Sequence, residues 1–147
     1  MHRSFKRVAL FVFISGLALF LLIQVVPYGK DHTNPPVISE PNWDSQQTRD
    51  FAKRACFDCH SNETEWPWYS NIAPASWLIY YDAVTARDEF NFSDWENDPM
   101  DDAEEFAEVI SEGEMPPLRY LLFHAEARLT DTEQIQLITG LANTVGR

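Results

Sequence analysis

Both cysteines of the 147-residue chain lie in one short run, Cys56-Phe57-Asp58-Cys59-His60. Two thiols three residues apart at the end of a helix can reach the two vinyl groups of one porphyrin. The histidine that follows then lies beneath the iron, which it can bind as an axial ligand. The C-x-x-C-H spacing therefore predicts covalent attachment of one c-type haem, haem c, through Cys56 and Cys59, with His60 as an iron ligand.

Three other uses of a C-x-x-C pair compete with haem attachment. A redox dithiol of the thioredoxin kind sits in a βαβ context, which is missing around this pair. A four-ligand zinc site usually shows a second spaced pair, and the chain has no third cysteine. A disulfide across so short a loop would stabilise the fold little. The adjacent His60 and the export signal described below favour haem over all three.

The sixth iron ligand must come from elsewhere, and Met115 is the favoured candidate. It lies in the run Gly113-Glu114-Met115-Pro116-Pro117, where two prolines stiffen an extended loop. A thioether is a soft iron ligand that raises the reduction potential; the alternative is that this methionine fills a gap in the core. Among weaker candidates, His32 is expected to be solvated, Met100 to lie in an exposed acidic turn, and His124 to satisfy a hydrogen bond.

Three segments of the chain, in this order, resemble the bacterial haem-binding domain family related to cytochrome c. They are Cys56-Phe57-Asp58-Cys59-His60-Ser61-Asn62-Glu63-Thr64, Trp66-Pro67-Trp68-Tyr69-Ser70-Asn71-Ile72-Ala73-Pro74 and Gly113-Glu114-Met115-Pro116-Pro117. The resemblance covers roughly residues 45–145. It implies an all-α, cytochrome-c-like fold with one covalent haem, and it implies that His60 and Met115 are the axial ligands.

Under this resemblance, the aromatic residues after the cysteine motif are candidate walls of a haem pocket that excludes water. They are Trp66, Trp68, Tyr69 and Trp77. The first three could also donate a hydrogen bond to a haem propionate. Arg119 and Tyr120, just after the methionine loop, are further propionate candidates. For each residue the alternative is an ordinary structural role, as core for a ring or as a solvated surface charge for Arg119.

An apolar segment near the N-terminus predicts a membrane anchor. Residues 8–26 are a run of 19 without a charge, and as a helix they span roughly 28 Å, close to the hydrocarbon thickness of a bilayer. Arg3, Lys6 and Arg7 precede the run, so the positive-inside rule places the rest of the chain outside the cytoplasm. A cleaved signal peptide is the alternative, but the run is long and no small-residue cleavage site follows it.

We therefore expect an uncleaved, single-pass anchor in the inner (cytoplasmic) membrane, with the C-terminal domain in the periplasm or otherwise outside the membrane. The anchor occupies residues 1–27, a linker residues 28–43, and the haem-binding domain residues 44–147. Residues 27–42 contain four prolines and cannot form a continuous helix, so this stretch is predicted to be a semi-extended tether.

The domain is predicted to be all-α, a cytochrome-c-like bundle of about four short helices around one haem. The helices are expected at residues 45–55, 74–90, 102–112 and from 130 onward. Gly113 ends the third helix, and Thr130 with Glu133 forms a capping box for the fourth. Helical spacing assigns two apolar faces, one with Trp77, Leu78, Tyr81 and Val84, the other with Ile135, Leu137, Ile138, Leu141 and Ala142.

The charge of the chain is strongly acidic, with a formal net charge of -12 at pH 7. Residues 1–30 hold four of the 11 bases and none of the 23 acids, so the rest is more acidic still. Such a domain repels phosphate, and nucleic acid is therefore excluded as a partner. The acidic surface could steer a redox partner with a basic face; the alternative is that the acids only solubilise a helix face.

Together, these patterns predict a membrane-anchored monohaem c-type cytochrome-like protein that transfers single electrons and is not an enzyme that turns over a substrate. The main alternative is an anchored haem-based sensor or gas-binding module whose sixth ligand can be displaced. A third hypothesis is a haemless thiol or interaction protein.

Overall fold

The computed structural model describes residues 2–100 and 102–146; Met1, Asp101 and Arg147 lie outside the described residues, as do the side chains of His2 and Arg3. The described part is helical and has no strand, only one isolated parallel bridge between Ser39 and Asp94. Its α-helices are α1 (His2–Ile23), α2 (Gln46–Ala55), α3 (Phe57–His60), α4 (Ala75–Glu89), α5 (Ala103–Ser111), α6 (Leu118–Leu121) and α7 (Asp131–Val145), with 3-10 turns at Trp68–Asn71 and Ala125–Ala127. The prediction of an all-α chain is confirmed.

The chain divides into two compact units. The first unit combines Met1–Thr33 with Trp66–Tyr81, and the second combines Asn34–Glu65 with Asp82–Arg147. Each unit is therefore built from two separate stretches of sequence, and the stretches alternate along the chain.

Helix α1 is the apolar part of the first unit. Its segment Ser4–Ile23 has a mean hydropathy of 2.2 and none of it is buried inside the protein. At about 1.5 Å per residue, these 20 residues measure roughly 30 Å, which is enough to cross the hydrocarbon core of a bilayer. The prediction of one N-terminal helix long and apolar enough to span a membrane is confirmed.

Glycine is required where the chain leaves α1 and approaches the start of α4. Gly29 has a φ of 73°, and a β-carbon there would lie 2.3 Å from the carbonyl oxygen of Ser76. No L side chain fits so close to a backbone, and the positive φ is also unfavourable for any residue but glycine. This contact explains why Ser76, a small residue, is fully buried in α4.

The second unit has its hydrophobic core between α2, α5 and α7. Its buried members are Phe51, Ala52, Phe57, Phe90, Phe92, Met100, Ile110, Leu137 and Leu141. Helices α2 and α7 pack at close range, since a β-carbon on Gly140 would lie 2.0 Å from Thr48 Oγ1. The helix that leads into the cysteine motif therefore rests directly on the C-terminal helix.

Side-chain caps define the helix boundaries of the second unit. Ser45 caps α2 by accepting a hydrogen bond from the Thr48 N–H, and Asp102 caps α5. Thr130 and Glu133 form the predicted capping box of α7. These polar groups satisfy backbone donors that have no partner within a helix, so the predicted helix starts agree with the structure within a residue or two.

The buried faces of two helices differ from the predicted ones. On α4, Leu78 and Tyr81 are 49% and 57% exposed, whereas Ser76 and Ala83 are buried. On α7, Ile135 is 65% exposed, although Leu137 and Leu141 are buried as predicted. Small residues are buried where two backbones pack closely, and the spacing of large apolar residues does not predict such positions.

The proline-rich linker is not helical, as predicted, but its second half is not a loose tether. The Ile38 and Ser39 N–H groups both donate to the carbonyl oxygen of Ser93, at 2.8 and 3.2 Å. The Trp95 N–H donates back to the Ser39 carbonyl at 3.1 Å. Residues 34–43 are therefore part of the second unit.

A bidentate ion pair attaches the end of the linker to α2. Arg49 donates from Nε and Nη2 to the two carboxylate oxygens of Glu40, both at 2.7 Å, and the Trp43 indole donates to the same carboxylate at 2.9 Å. The guanidinium of Arg49 lowers the pKa of Glu40 below its usual 4.5. Because the folded-state pKa is lowered, this stabilisation is present above pH 4.5 and is lost as the pH falls through the lower folded value.

We expect Glu40→Gln to lower the free energy of unfolding by about 0.5–1 kcal/mol at pH 7, the range of a partly exposed ion pair. The difference from the parent chain should shrink as the pH falls below 4.5. Urea denaturation of the full chain in detergent at several pH values measures both effects. Glu96→Gln, at an exposed position, is the matched control for loss of charge. If Glu40→Gln lowers the free energy of unfolding by the same amount at all pH values, the stabilisation does not come from the charged Glu40–Arg49 pair.

Candidate functional site

The two cysteines lie on one helical turn at the end of α2. Cys56 ends α2, and its N–H donates to the Ala52 carbonyl at 2.8 Å. Cys59 lies in the short helix α3, where the Cys59 and His60 N–H groups donate to the Cys56 carbonyl at 3.1 and 2.8 Å. Both thiols are free and partly buried. The motif therefore has the compact helical form that its spacing predicts.

Burial sets the protonation of these side chains. It raises the pKa of the Cys56 thiol to about 12, and it raises that of Cys59 to about 12 with a smaller contribution from the negative charge of Asp58. Burial lowers the pKa of His60 to about 4, and the nearby backbone of Phe90 and Ala86 opposes this shift only weakly. At neutral pH, both thiols are protonated and the imidazole is neutral.

The His60 ring is enclosed by aromatic side chains of the second unit. It stacks on Phe90 with the centroids 4.1 Å apart and the planes 9° from parallel, and it meets the edge of Phe106 at 6.2 Å. Its side chain is only 5% exposed, and Nδ1 has no hydrogen-bond partner among the described residues. An unpartnered buried polar atom costs about 1–3 kcal/mol, which coordination to a metal would offset.

This donor set fits the haem that the motif predicts. A neutral imidazole with an unpartnered nitrogen is a competent iron ligand, and two free thiols on the adjacent turn can form thioethers. Among the side chains that the structure describes, no group of three or more from His, Cys, Asp and Glu could hold a bare metal ion. The zinc alternative therefore has no ligand cluster in the part of the chain that the structure describes.

Asp58, between the two cysteines, fixes the motif to other segments of the second unit. Its Oδ2 accepts a hydrogen bond from the Tyr120 hydroxyl at 2.7 Å, and its Oδ1 accepts one from the Glu65 N–H at 2.9 Å. The Asp58 carbonyl accepts from Thr64 Oγ1 at 2.8 Å. Burial and this carboxylate raise the pKa of Tyr120, so its hydroxyl is a stable donor.

Arg87 of α4 holds the chain that follows the motif. Its Nε donates to the Ser61 carbonyl at 2.7 Å, and its Nη2 donates to Thr64 Oγ1 at 2.6 Å. The Phe92 N–H donates to the His60 carbonyl at 2.9 Å. Arg87 and Asp58 are residues that sequence reasoning missed, since both act through partners distant in the chain and no local spacing marks them.

Met115 lies in the second unit with the cysteine motif. Gly113, with a φ of 75°, ends the helical path of α5, and the Met115 N–H then donates to the Val109 carbonyl at 3.1 Å. The Met115 side chain is partly buried and packs against the core cluster. Five residues on, Tyr120 bonds to Asp58, so the loop is attached at one end to α5 and at the other to the cysteine motif. Its role as an iron ligand stays a prediction.

Of the weaker ligand candidates, two are located differently from expectation. Met100 is only 4% exposed and belongs to the core cluster, so the prediction of an exposed turn is wrong. His32 is partly buried and stacks on Trp66 at 4.6 Å, so it is not simply solvated. His124 stacks on Tyr120 at 4.1 Å and lies 3.2 Å from Glu126, as expected for a residue engaged in hydrogen bonding.

The remaining predicted site residues divide between the units. Trp66, Trp68 and Tyr69 belong to the first unit, whereas Arg119 belongs to the second with the cysteine motif. Arg119 forms an ion pair with Asp82 at 2.9 Å and is therefore not a lone solvated charge. The Trp77 indole N–H, on α4, is buried without a partner among the described residues. The haem contacts expected of these side chains stay predictions.

A comparison with protein families gives one finding. A family model described as a haem-binding domain matches residues 18–143, most of the chain. Neither the comparison with curated proteins nor that with solved structures gives a match.

We expect Arg87→Gln to lower the free energy of unfolding by about 1–3 kcal/mol, because it leaves the buried Ser61 carbonyl and Thr64 without a charged donor. Chemical denaturation of the full chain in detergent measures the change. Arg128→Gln is the control, since Arg128 makes one exposed hydrogen bond of 3.2 Å; its effect should stay within about 0.5 kcal/mol. Equal effects of the two substitutions would contradict a special role for Arg87.

Proposed function

Because the chain belongs to the haem-binding domain family, we propose that it is a membrane-anchored, monohaem c-type cytochrome-like protein. In this proposal, Cys56 and Cys59 bind one haem covalently, His60 and Met115 are its axial ligands, and the protein transfers single electrons without turning over a substrate. A haem bound there supplies a one-electron redox centre. The chain supplies attachment, ligands and a dry environment.

One observation carries the proposal: two free thiols and a neutral, buried imidazole lie on a single helical turn. The backbone of this turn is held by α2, by Tyr120 and by Arg87, so the three side chains are positioned before any cofactor binds. A preorganised donor set binds with less loss of conformational entropy than a flexible one.

The surroundings of His60 and Met115 favour an electron carrier over other kinds of haem protein. Phe90 and Phe106 cover His60 and exclude water from this ligand, which helps to set the reduction potential of a bound haem. The loop of Met115 is attached at both ends, as suits a permanent ligand. A thioether opposite an imidazole raises the reduction potential.

The acidic surface near Met115 supports a redox partner with a basic face. Exposed carboxylates of α5 and the following loop are Asp102, Glu104, Glu105, Glu108, Glu112 and Glu114. A patch of one sign steers an oppositely charged protein and speeds its encounter at low salt. Electron exchange with such a partner should therefore slow as the ionic strength rises.

The proposed location is the inner membrane, with the haem-binding part in the periplasm. Basic residues, Arg3, Lys6 and Arg7, precede the uncharged run of residues 8–26, and such residues stay on the cytoplasmic side. The end of α1 also makes contacts within the first unit, through Gln24 and Tyr28, which supports an anchor that is retained.

The proposal is tested by an optical spectrum of the full chain, matured with a cytochrome c maturation system and purified in detergent. Haem that survives a denaturing gel, low-spin spectra and no response to carbon monoxide are expected. Covalent haem that is high-spin or binds carbon monoxide readily would favour the sensor or gas-binding module. Absence of covalent haem would overturn both and leave a thiol or interaction protein.

We expect the double substitution Cys56→Ala, Cys59→Ala to abolish haem staining on a denaturing gel, because no thiol remains to form a thioether. Each single substitution should leave one attachment and a shifted optical spectrum. Circular dichroism of the apoprotein provides the control for folding. Staining that persists in the double variant would contradict covalent attachment through these residues.

We expect Met115→Leu to remove the methionine–iron charge-transfer band and to lower the reduction potential, because a soft axial ligand is lost. Met100→Leu is the matched control: it also replaces a thioether, but in the core, at a cost below about 1.5 kcal/mol. The control should keep the charge-transfer band and the potential. Equal spectra for the Met115 variant and the parent chain would contradict ligation by Met115.

A further inference from the structure

Trp68 has an unusual environment for a tryptophan. Its side chain is 76% exposed, and it is the one tryptophan among the exposed large apolar side chains of residues 2–100 and 102–146. It meets Tyr69 edge-on at 5.7 Å. Ile72, four residues on, is 38% exposed. Two exposed apolar side chains four residues apart can form a patch that contacts something else.

The segment that carries Trp68 is fastened to the end of α1. Gln24, the residue after the helix, donates from Nε2 to the Ala73 carbonyl at 2.9 Å. In return, the Ala73 N–H donates to Gln24 Oε1 at 2.9 Å. The side-chain amide thus pairs with the backbone on both sides, and Ile72 lies next to this clamp.

Three further contacts within the first unit reinforce the clamp. Tyr28 meets the edge of Tyr80 at 5.4 Å, Gly29 touches the backbone of Ser76, and His32 stacks on Trp66. The chain just beyond α1 therefore packs along the segment Trp66–Tyr81 over several residues. The end of α1 determines where that segment lies.

The length of α1 locates this segment relative to a bilayer. The uncharged run that follows Lys6 and Arg7, residues 8–26, spans roughly 28 Å as a helix, close to the hydrocarbon thickness, so Gln24 lies near its boundary with the headgroups. The 3-10 turn Trp68–Asn71 rises about 2 Å per residue, which keeps Trp68 within roughly 10 Å of Ile72. Tyr28, 48% exposed, lies on the same side of the span.

We propose that Trp68 and Ile72 form a lipid-contacting surface that seats the first unit in the headgroup layer of the bilayer, on the side where α1 ends. An indole suits this layer, because its ring is apolar and its N–H can reach headgroup oxygens. Gln24, directly after α1, holds Ala73 next to Ile72, and this attachment to the end of a membrane-spanning helix favours the bilayer over a protein as the partner. The inference rests on the membrane anchoring in the proposed function, but not on haem.

The test uses the full chain with 5-fluorotryptophan at its five tryptophans, inserted into phosphatidylcholine–phosphatidylglycerol nanodiscs. Fluorine NMR resonances are assigned by tryptophan-to-phenylalanine substitutions, one at a time. A phospholipid with a nitroxide near its acyl carbonyl should broaden the Trp68 resonance several-fold more than that of Trp43. Trp43 is the control, because it packs against the core cluster and donates to Glu40.

A second variant tests the clamp. Gln24→Ala removes both hydrogen bonds to Ala73 and should reduce the broadening of the Trp68 resonance.

If the Trp68 resonance is broadened no more than that of Trp43 in discs that contain the chain, the proposed lipid-contacting surface is wrong, although the membrane anchor is still supported. If the Trp68 resonance shifts when haem binds but is not broadened by the nitroxide lipid, Trp68 contacts the haem and not the lipid. A chain that does not copurify with the discs overturns the anchor and this inference together.

Discussion

The backbone of the cysteine motif is held by side chains from distant parts of the second unit. Asp58 accepts from Tyr120, and Arg87 donates to Ser61 and Thr64. These hydrogen bonds fix one helical turn, and they thereby fix the positions of Cys56, Cys59 and His60 on that turn. Because the bonds are partly buried and charge-assisted, each is stronger than a neutral surface hydrogen bond.

The sequence could predict what is encoded locally. The capping pair Thr130–Glu133, the stop at Gly113 and the helical form of the C-x-x-C-H motif each depend on residues within a few positions of one another, and all agree with the structure. The all-α class follows from the same local signals. Such features need no knowledge of how distant segments meet.

The features that the sequence could not predict are long-range. The hydrogen bonds of Arg87 and Tyr120 join residues far apart in the chain, and no local pattern encodes their geometry. The burial of Met100 depends on the core packing around it, although its acidic neighbours suggest a surface turn. Leu78 is 49% exposed although its spacing predicts a buried position, whereas the small residue Ser76 is buried where Gly29 approaches its backbone.

The close packing of α2 on α7 has a consequence for the order of events during synthesis. Thr48 and Gly140 touch, so α2 gains its main packing partner only after the C-terminal helix has been made. Because the chain is made from the N-terminus onward, Cys56 and Cys59 are synthesised well before α7. The helix that leads into the cysteine turn therefore reaches its final packing only after α7 has been made.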